Sequence, residues 1–221
     1  LIEMAIETTL EILGLSVIPI WFYFYSLLVY GISACVSFLI SYFSFRIYKL
    51  SSVKSNILLS LSFLGLGIAF SILSFVSFYT YFYFDYFRAY KNLSLVNDKG
   101  FSLYYIIATI SYLFLTILYL PKKFKEKLFV IYVPLWYVSD FNFHLVSMFL
   151  IGLIILRNLF NFIKSRKLNS FLVLFAFISI EISHLLLLLL PFDVTLYIFA
   201  HVFLLIGFCS LLAMLIRVIK R

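Results

Sequence analysis

A chain of 221 residues that is 65% hydrophobic and 12% charged, with mean hydropathy +1.15, lacks the polar surface to cover a soluble core. Its apolar runs are too long and continuous for barrel strands, so it reads as an all-α, polytopic membrane helical bundle. The formal charge of +8 clusters at the ends of apolar runs, which argues for cytoplasm-facing loops and against nucleic-acid binding.

Glu3, Glu7 and Glu11 recur at i, i+4 spacing, with Ile2, Ala5, Ile6 and Leu13 on the opposite side of the wheel. Residues 1–13 are therefore expected to form an interfacial amphipathic helix, and residues 14–221 a single transmembrane domain. No basic stretch precedes an apolar core, so the start does not read as a signal peptide. Gly14 and Pro19 loosen the chain before the first span.

Seven spans follow: residues 20–45, 56–83, 101–120, 127–140, 143–163, 170–190 and 194–216. The fourth is short. About 12 clean apolar positions cover only ~18 Å of a ~30 Å core. Charge decides whether it crosses. If it does, Arg46, Lys49, Lys54, Lys122, Lys123, Lys125, Lys127, Lys164, Arg166, Lys167, Arg217, Lys220 and Arg221 all lie on one side. The other side then holds Arg88, Lys91 and Lys99 together with most of the acids. If it does not cross, the asymmetry vanishes. The sequence therefore predicts seven transmembrane helices, with the N-terminus outside and the C-terminus cytoplasmic. Asn92-Leu93-Ser94, in the aromatic loop after span two, is an N-glycosylation sequon on the predicted outer side.

Residues 55–70 align without gaps on 169–184, and Ser102-Leu103-Tyr104 resembles Thr195-Leu196-Tyr197. A 3+1+3 plan follows, with spans one to three and five to seven as parallel copies joined by span four.

Four ionisable residues fall inside spans, where polar groups are costly and mark function by default: His144, Glu181, His184 and His201. Glu181 and His184 share one face of span six. From the Pro191 turn, His184 lies ~10 Å inward and Glu181 ~15 Å, while His201 lies ~12 Å into span seven, so His184 and His201 can meet at one level. Four readings stay open. The groups relay protons or bind an ion; they hold zinc or another transition metal; paired imidazoles ligate haem iron; or the groups simply satisfy one another between helices. Glu-x-x-His occurs once, whereas a di-iron bundle needs two, and no His-x-x-x-His, Walker loop, dinucleotide fingerprint or serine elbow is present. Span seven has no lysine before its cytoplasmic end, which disfavours retinal.

Ser60, Ser62, Gly65, Gly67, Ala69 and Ser71 make span two rich in small residues, for packing within the bundle or against a partner. Cys35 and Cys209, inside apolar runs, are expected as small packing residues, and Arg157 as a cation reaching the inner edge. The loops are too short for a soluble catalytic domain. The chain is expected to be a non-enzymatic subunit of a membrane complex, with a scaffold, translocation or sensory role in the cell membrane. Its basic loops, Lys122, Lys123, Lys125 and Lys127 above all, would meet anionic lipid or a soluble protein. The alternatives are a haem or metal redox subunit using His184 and His201, and a proton- or ion-coupled transporter using Glu181 and His184.

Overall fold

The computed structural model describes residues 20–83, 90–119, 140–190, 192–193 and 195–219. These form six helices: α1 (Ile20–Ser51), α2 (Lys54–Tyr83), α3 (Tyr90–Tyr119), α4 (Asp140–Ser165), α5 (Leu168–Leu188) and α6 (Leu196–Ile219). There is no strand among the described residues. All six helices are long and apolar enough to cross a membrane. The shortest, α5, has 21 residues and is about 31 Å long, enough for a ~30 Å hydrocarbon core. The expected interfacial helix at 1–13, the short span at 127–139 and the four lysines Lys122, Lys123, Lys125 and Lys127 lie outside the described residues.

One boundary differs from expectation. α3 begins at Tyr90, so most of the predicted loop at 84–100 is helix, and Asn92 lies in its first turn. No proline interrupts residues 90–100, and Gly100 stays helical because its missing side chain lets α3 rest against Val76 of α2.

The helices close a ring in chain order, each packing on the next and α6 returning to α1. Within the triplets α1–α3 and α4–α6, neighbours are antiparallel. Ser41 meets Ser60 and Ser74 meets Leu27 between α1 and α2, while Ser210 bonds to Leu172 between α6 and α5. The two seams between the triplets are parallel instead. Across α3 and α4, Tyr104 lies 5.2 Å from Phe143, and further along Thr116 Oγ1 donates to the Leu150 carbonyl at 3.4 Å. Across α1 and α6, Phe22 lies 4.0 Å from Tyr197, and further along Tyr30 lies 5.0 Å from His201. These directions gather Arg46, Lys49, Lys54, Lys164, Arg166, Lys167 and Arg217 at one end of the bundle. Asp98, Lys99, Asp140 and Asp193 lie at the other.

The two triplets share detailed geometry. Ser52 and Arg166, in the two-residue turns after α1 and α4, have φ of 55° and 50°. Each donates its amide to a carbonyl four residues earlier, on Tyr48 and Phe162, at 2.8 Å. Ser51 Oγ holds Asn56 at 3.1 Å, and Ser165 Oγ holds Ser170 at 2.9 Å. These pairs share one spacing along the chain, which is also that of the 55–70 and 169–184 match. At that spacing the buried positions Phe143, His144, Ser147, Leu150, Ile151, Ile154 and Asn158 of α4 fall on Val29, Tyr30, Ser33, Val36, Ser37, Ile40 and Ser44 of α1, all buried.

Lipid offers no strong drive for apolar faces to associate, so close approach and shape hold such a bundle together. Phe63, Phe70, Phe177, Phe208 and Tyr112 fill the centre, with Phe208 lying 6.0 Å from Phe63 and 5.6 Å from Phe70. The small residues of α2 serve this internal packing. Gly65 lies against Ser111 of α3, and a Cβ on Gly67 would come within 2.7 Å of the Phe38 ring of α1. Cys35 and Cys209 are not interior packing residues; both are free thiols on the outward surface. Nothing but apolar neighbours is needed there, and a small thiol fits either side of a membrane helix. Arg157 is exposed on α4.

Candidate intramembrane polar site

His184 stands on the buried face of α5, one turn after Glu181, and is only 2% exposed. Its Nδ1 lies 2.9 Å from Nδ1 of His144 on α4, and its Nε2 lies 3.1 Å from the Tyr112 hydroxyl on α3. Phe143 packs edge-on against both imidazoles, at 5.0 and 5.7 Å. Three helices thus converge on one hydrogen-bonded chain, sealed from lipid by rings.

The chain has two self-consistent states. A neutral imidazole offers one N–H and one bare nitrogen. In the first state His184 Nδ1–H donates to His144, and His184 Nε2 accepts the Tyr112 O–H. In the second, His144 Nδ1–H donates to His184, and His184 Nε2–H donates to the Tyr112 oxygen. Passing from one to the other reverses both bonds and shifts a proton along the chain. One added proton can be held, because an imidazolium at His184 donates in both directions. Two are excluded, since facing N–H groups cannot share 2.9 Å.

Glu181 is half-buried. Its Oε2 atom is buried and makes no hydrogen bond among the described residues. Ser147 Oγ, one turn from His144 on α4, is likewise buried and without a partner there. Both are exceptions to the rule that buried polar groups are paired.

The expected partnership of His184 with His201 is not the one formed. His201, 1% exposed, sends Nδ1–H to the Tyr197 carbonyl one turn back at 2.7 Å. It sits among the rings of Tyr197, Tyr30 and Tyr25, at 4.0, 5.0 and 6.1 Å. Beside it the hydroxyls of Ser26, Tyr197 and Tyr30 form a bonded cluster, at 2.8 and 3.1 Å. Both ring nitrogens of His184 are engaged by His144 and Tyr112, and no group of three His, Cys, Asp or Glu side chains suited to a metal is gathered among the described residues.

Sequence reasoning named the ionisable residues but missed Tyr112 and Ser147. Tyr112 is one of 17 tyrosines, and only the fold distinguishes it.

Comparison with known proteins finds no match: no family model, no curated protein and no solved structure is similar to this chain.

Proposed function

We propose that this chain is a non-enzymatic integral protein of the cell membrane that takes up and passes on a proton through Tyr112, His184 and His144, as a translocation or sensory component. The observation that carries the reading is the His144–His184 contact: two buried imidazoles bridged by one proton, with a third group ready to exchange another.

The same reading has seven crossings. α3 and α4 run parallel, so residues 120–139 have to return the chain from one end of the bundle to the other, which supports a seventh pass through that segment. The basic end of the bundle then faces the cytoplasm, with the C-terminus there, the N-terminus outside and Asn92 on the outer side. Its cations, joined by Lys122, Lys123, Lys125 and Lys127, suit docking to anionic lipid or a soluble partner protein. The shared turns and burial pattern of the two triplets support an internal duplication with a 3+1+3 plan.

The test is proton movement in proteoliposomes under an imposed inside-negative potential, read by an entrapped pH dye. The wild type should acidify the lumen at least ten times faster than His184→Phe. A wild-type rate equal to that of empty vesicles contradicts the proposal.

A further inference from the structure

Glu181 has a counterpart in the first triplet. At the spacing that superimposes the two turns, Glu181 falls on Gly67, and Gly152 falls on Phe38. In the first triplet a ring from α1 fills the space over a glycine of α2, so tightly that a Cβ on Gly67 would meet it at 2.7 Å. In the second the roles are exchanged: the side chain comes from α5 and the glycine from α4. The fill is looser, because a Cβ on Gly152 would find Glu181 Oε1 at 3.9 Å. An apolar knob has been replaced by a shorter, ionisable one, in a place that the fold can fill with hydrocarbon.

A carboxylate within hydrocarbon needs a proton or a cation. No protein cation or donor supplies either to Oε2 among the described residues. Gly152 of α4, beside the carboxyl, offers no side chain to pair with it. A carboxylate is a hard oxygen donor, which suits a small monovalent cation better than a soft transition metal.

Building on the proton-handling reading above, we propose that the Glu181 carboxyl, beside Gly152, binds one small monovalent cation in exchange for its proton. In the exchange the carboxyl O–H bond breaks, the cation takes the freed oxygen, and the proton leaves through the Tyr112–His184–His144 chain or to water. One positive charge enters and one leaves, so the buried charge is unchanged. The other titratable groups on the helices packed around Glu181 are His184 one turn along α5, His144 on α4 and Tyr112 on α3, with Arg157 exposed further along α4. Proton and cation compete for one oxygen. Apparent cation affinity should therefore fall tenfold for each pH unit below the carboxyl's own titration.

The experiment follows the infrared band of the protonated carboxyl, with a pH dye, on the full chain in nanodiscs at neutral pH. Sodium, potassium and methylammonium chlorides are the probes, and choline chloride is the ionic-strength control. At least one probe should remove the band and release one proton per protein. Glu181→Gln should abolish both signals. Gly152→Ala, which the 3.9 Å clearance accommodates, should weaken the apparent affinity about tenfold without lowering the melting temperature. His184→Phe should keep the cation-driven loss of the band while losing proton movement in liposomes. A band that no probe alters, or that choline alters equally, overturns the cation site. If His184-dependent proton movement persists in that case, the proton reading stands without it.

Discussion

In the first triplet Phe70 stacks on Tyr30, with ring centroids 6.2 Å apart, and Phe208 of α6, from the other triplet, meets it edge-on at 5.6 Å. In the second, at the corresponding places, His184 bonds to His144 and Tyr112 meets it edge-on at 5.4 Å. The angles agree, 69° for the aromatic pair and 79° for the polar one. One arrangement is therefore filled by hydrocarbon in one place and by a proton-bearing chain in the other. The apolar version holds α1, α2 and α6 together as the polar one holds α4, α5 and α3, so packing alone does not require the imidazoles. Burying them, with a carboxyl one turn away whose Oε2 has no partner among the described residues, carries a cost that the apolar version avoids.

The largest effect should come from making the second triplet copy the first. The double variant His144→Tyr, His184→Phe should remain folded, because each replacement already works at Tyr30 and Phe70. Its proton movement should drop at least tenfold, to the level of empty vesicles. Retained movement in a folded double variant would mean that the chain is only packing.

Close packing should be next in size. Ala at Gly65 would collide with Ser111 of α3, and at Gly207 it would come within 2.8 Å of the Ala176 carbonyl of α5. Each should cost about 1–3 kcal/mol in denaturant unfolding of the detergent-solubilised protein. Gly152→Ala should stay within about 0.5 kcal/mol of wild type.

The two turns sharpen the comparison further. Ser52 and Arg166 both carry positive φ, a conformation that disfavours any side chain. Gly at either site should stabilise by roughly 0.5–1 kcal/mol, the left-handed penalty less the extra unfolded-chain freedom of glycine. Unequal effects would show that the turns are alike in shape but not in strain.

The smallest effect lies at the α5–α6 turn, which has no counterpart in the described part of the first triplet. Asp193 Oδ1 accepts the Thr195 amide at 2.8 Å and its hydroxyl at 2.7 Å, and these bonds hold the carboxyl below its ordinary pKa. A lowered folded value means that the turn's contribution is present above the ordinary carboxylate range and is lost as pH falls through the lowered value. Amide exchange at Thr195, corrected for its intrinsic pH dependence, should lose protection on acidification. Asp193→Asn should flatten that response.

Composition makes the class legible, because a chain this apolar has nowhere else to fold than lipid. Span limits were also close where charge or proline marks an end, as at Lys49 and Lys164. They failed at α3, where polar residues continue the helix beyond the apolar run. The second helices of the two triplets could be aligned from sequence, 55–70 on 169–184. In the third pair the tripeptide match of Tyr104 with Tyr197 differs by about one turn from the contacts, in which Tyr112 and Phe208 take like places against His184 and Phe70. Apolar low-complexity sequence matches itself at any one-turn shift, and only contacts choose between the shifts. The site was legible as four ionisable residues but not as a constellation. Depth along a span put His184 level with His201. Which faces meet depends on helix order and rotation, and these bring His184 to His144 and leave His201 among tyrosines.

The most direct measurement is nitrogen NMR of the protein in nanodiscs, with histidine labelled at both ring nitrogens. A coupling between Nδ1 of His144 and Nδ1 of His184, carried by one shared proton and absent from His184→Phe, is the predicted result. Two independent imidazoles, each with its own N–H and no coupling between them, would contradict the account.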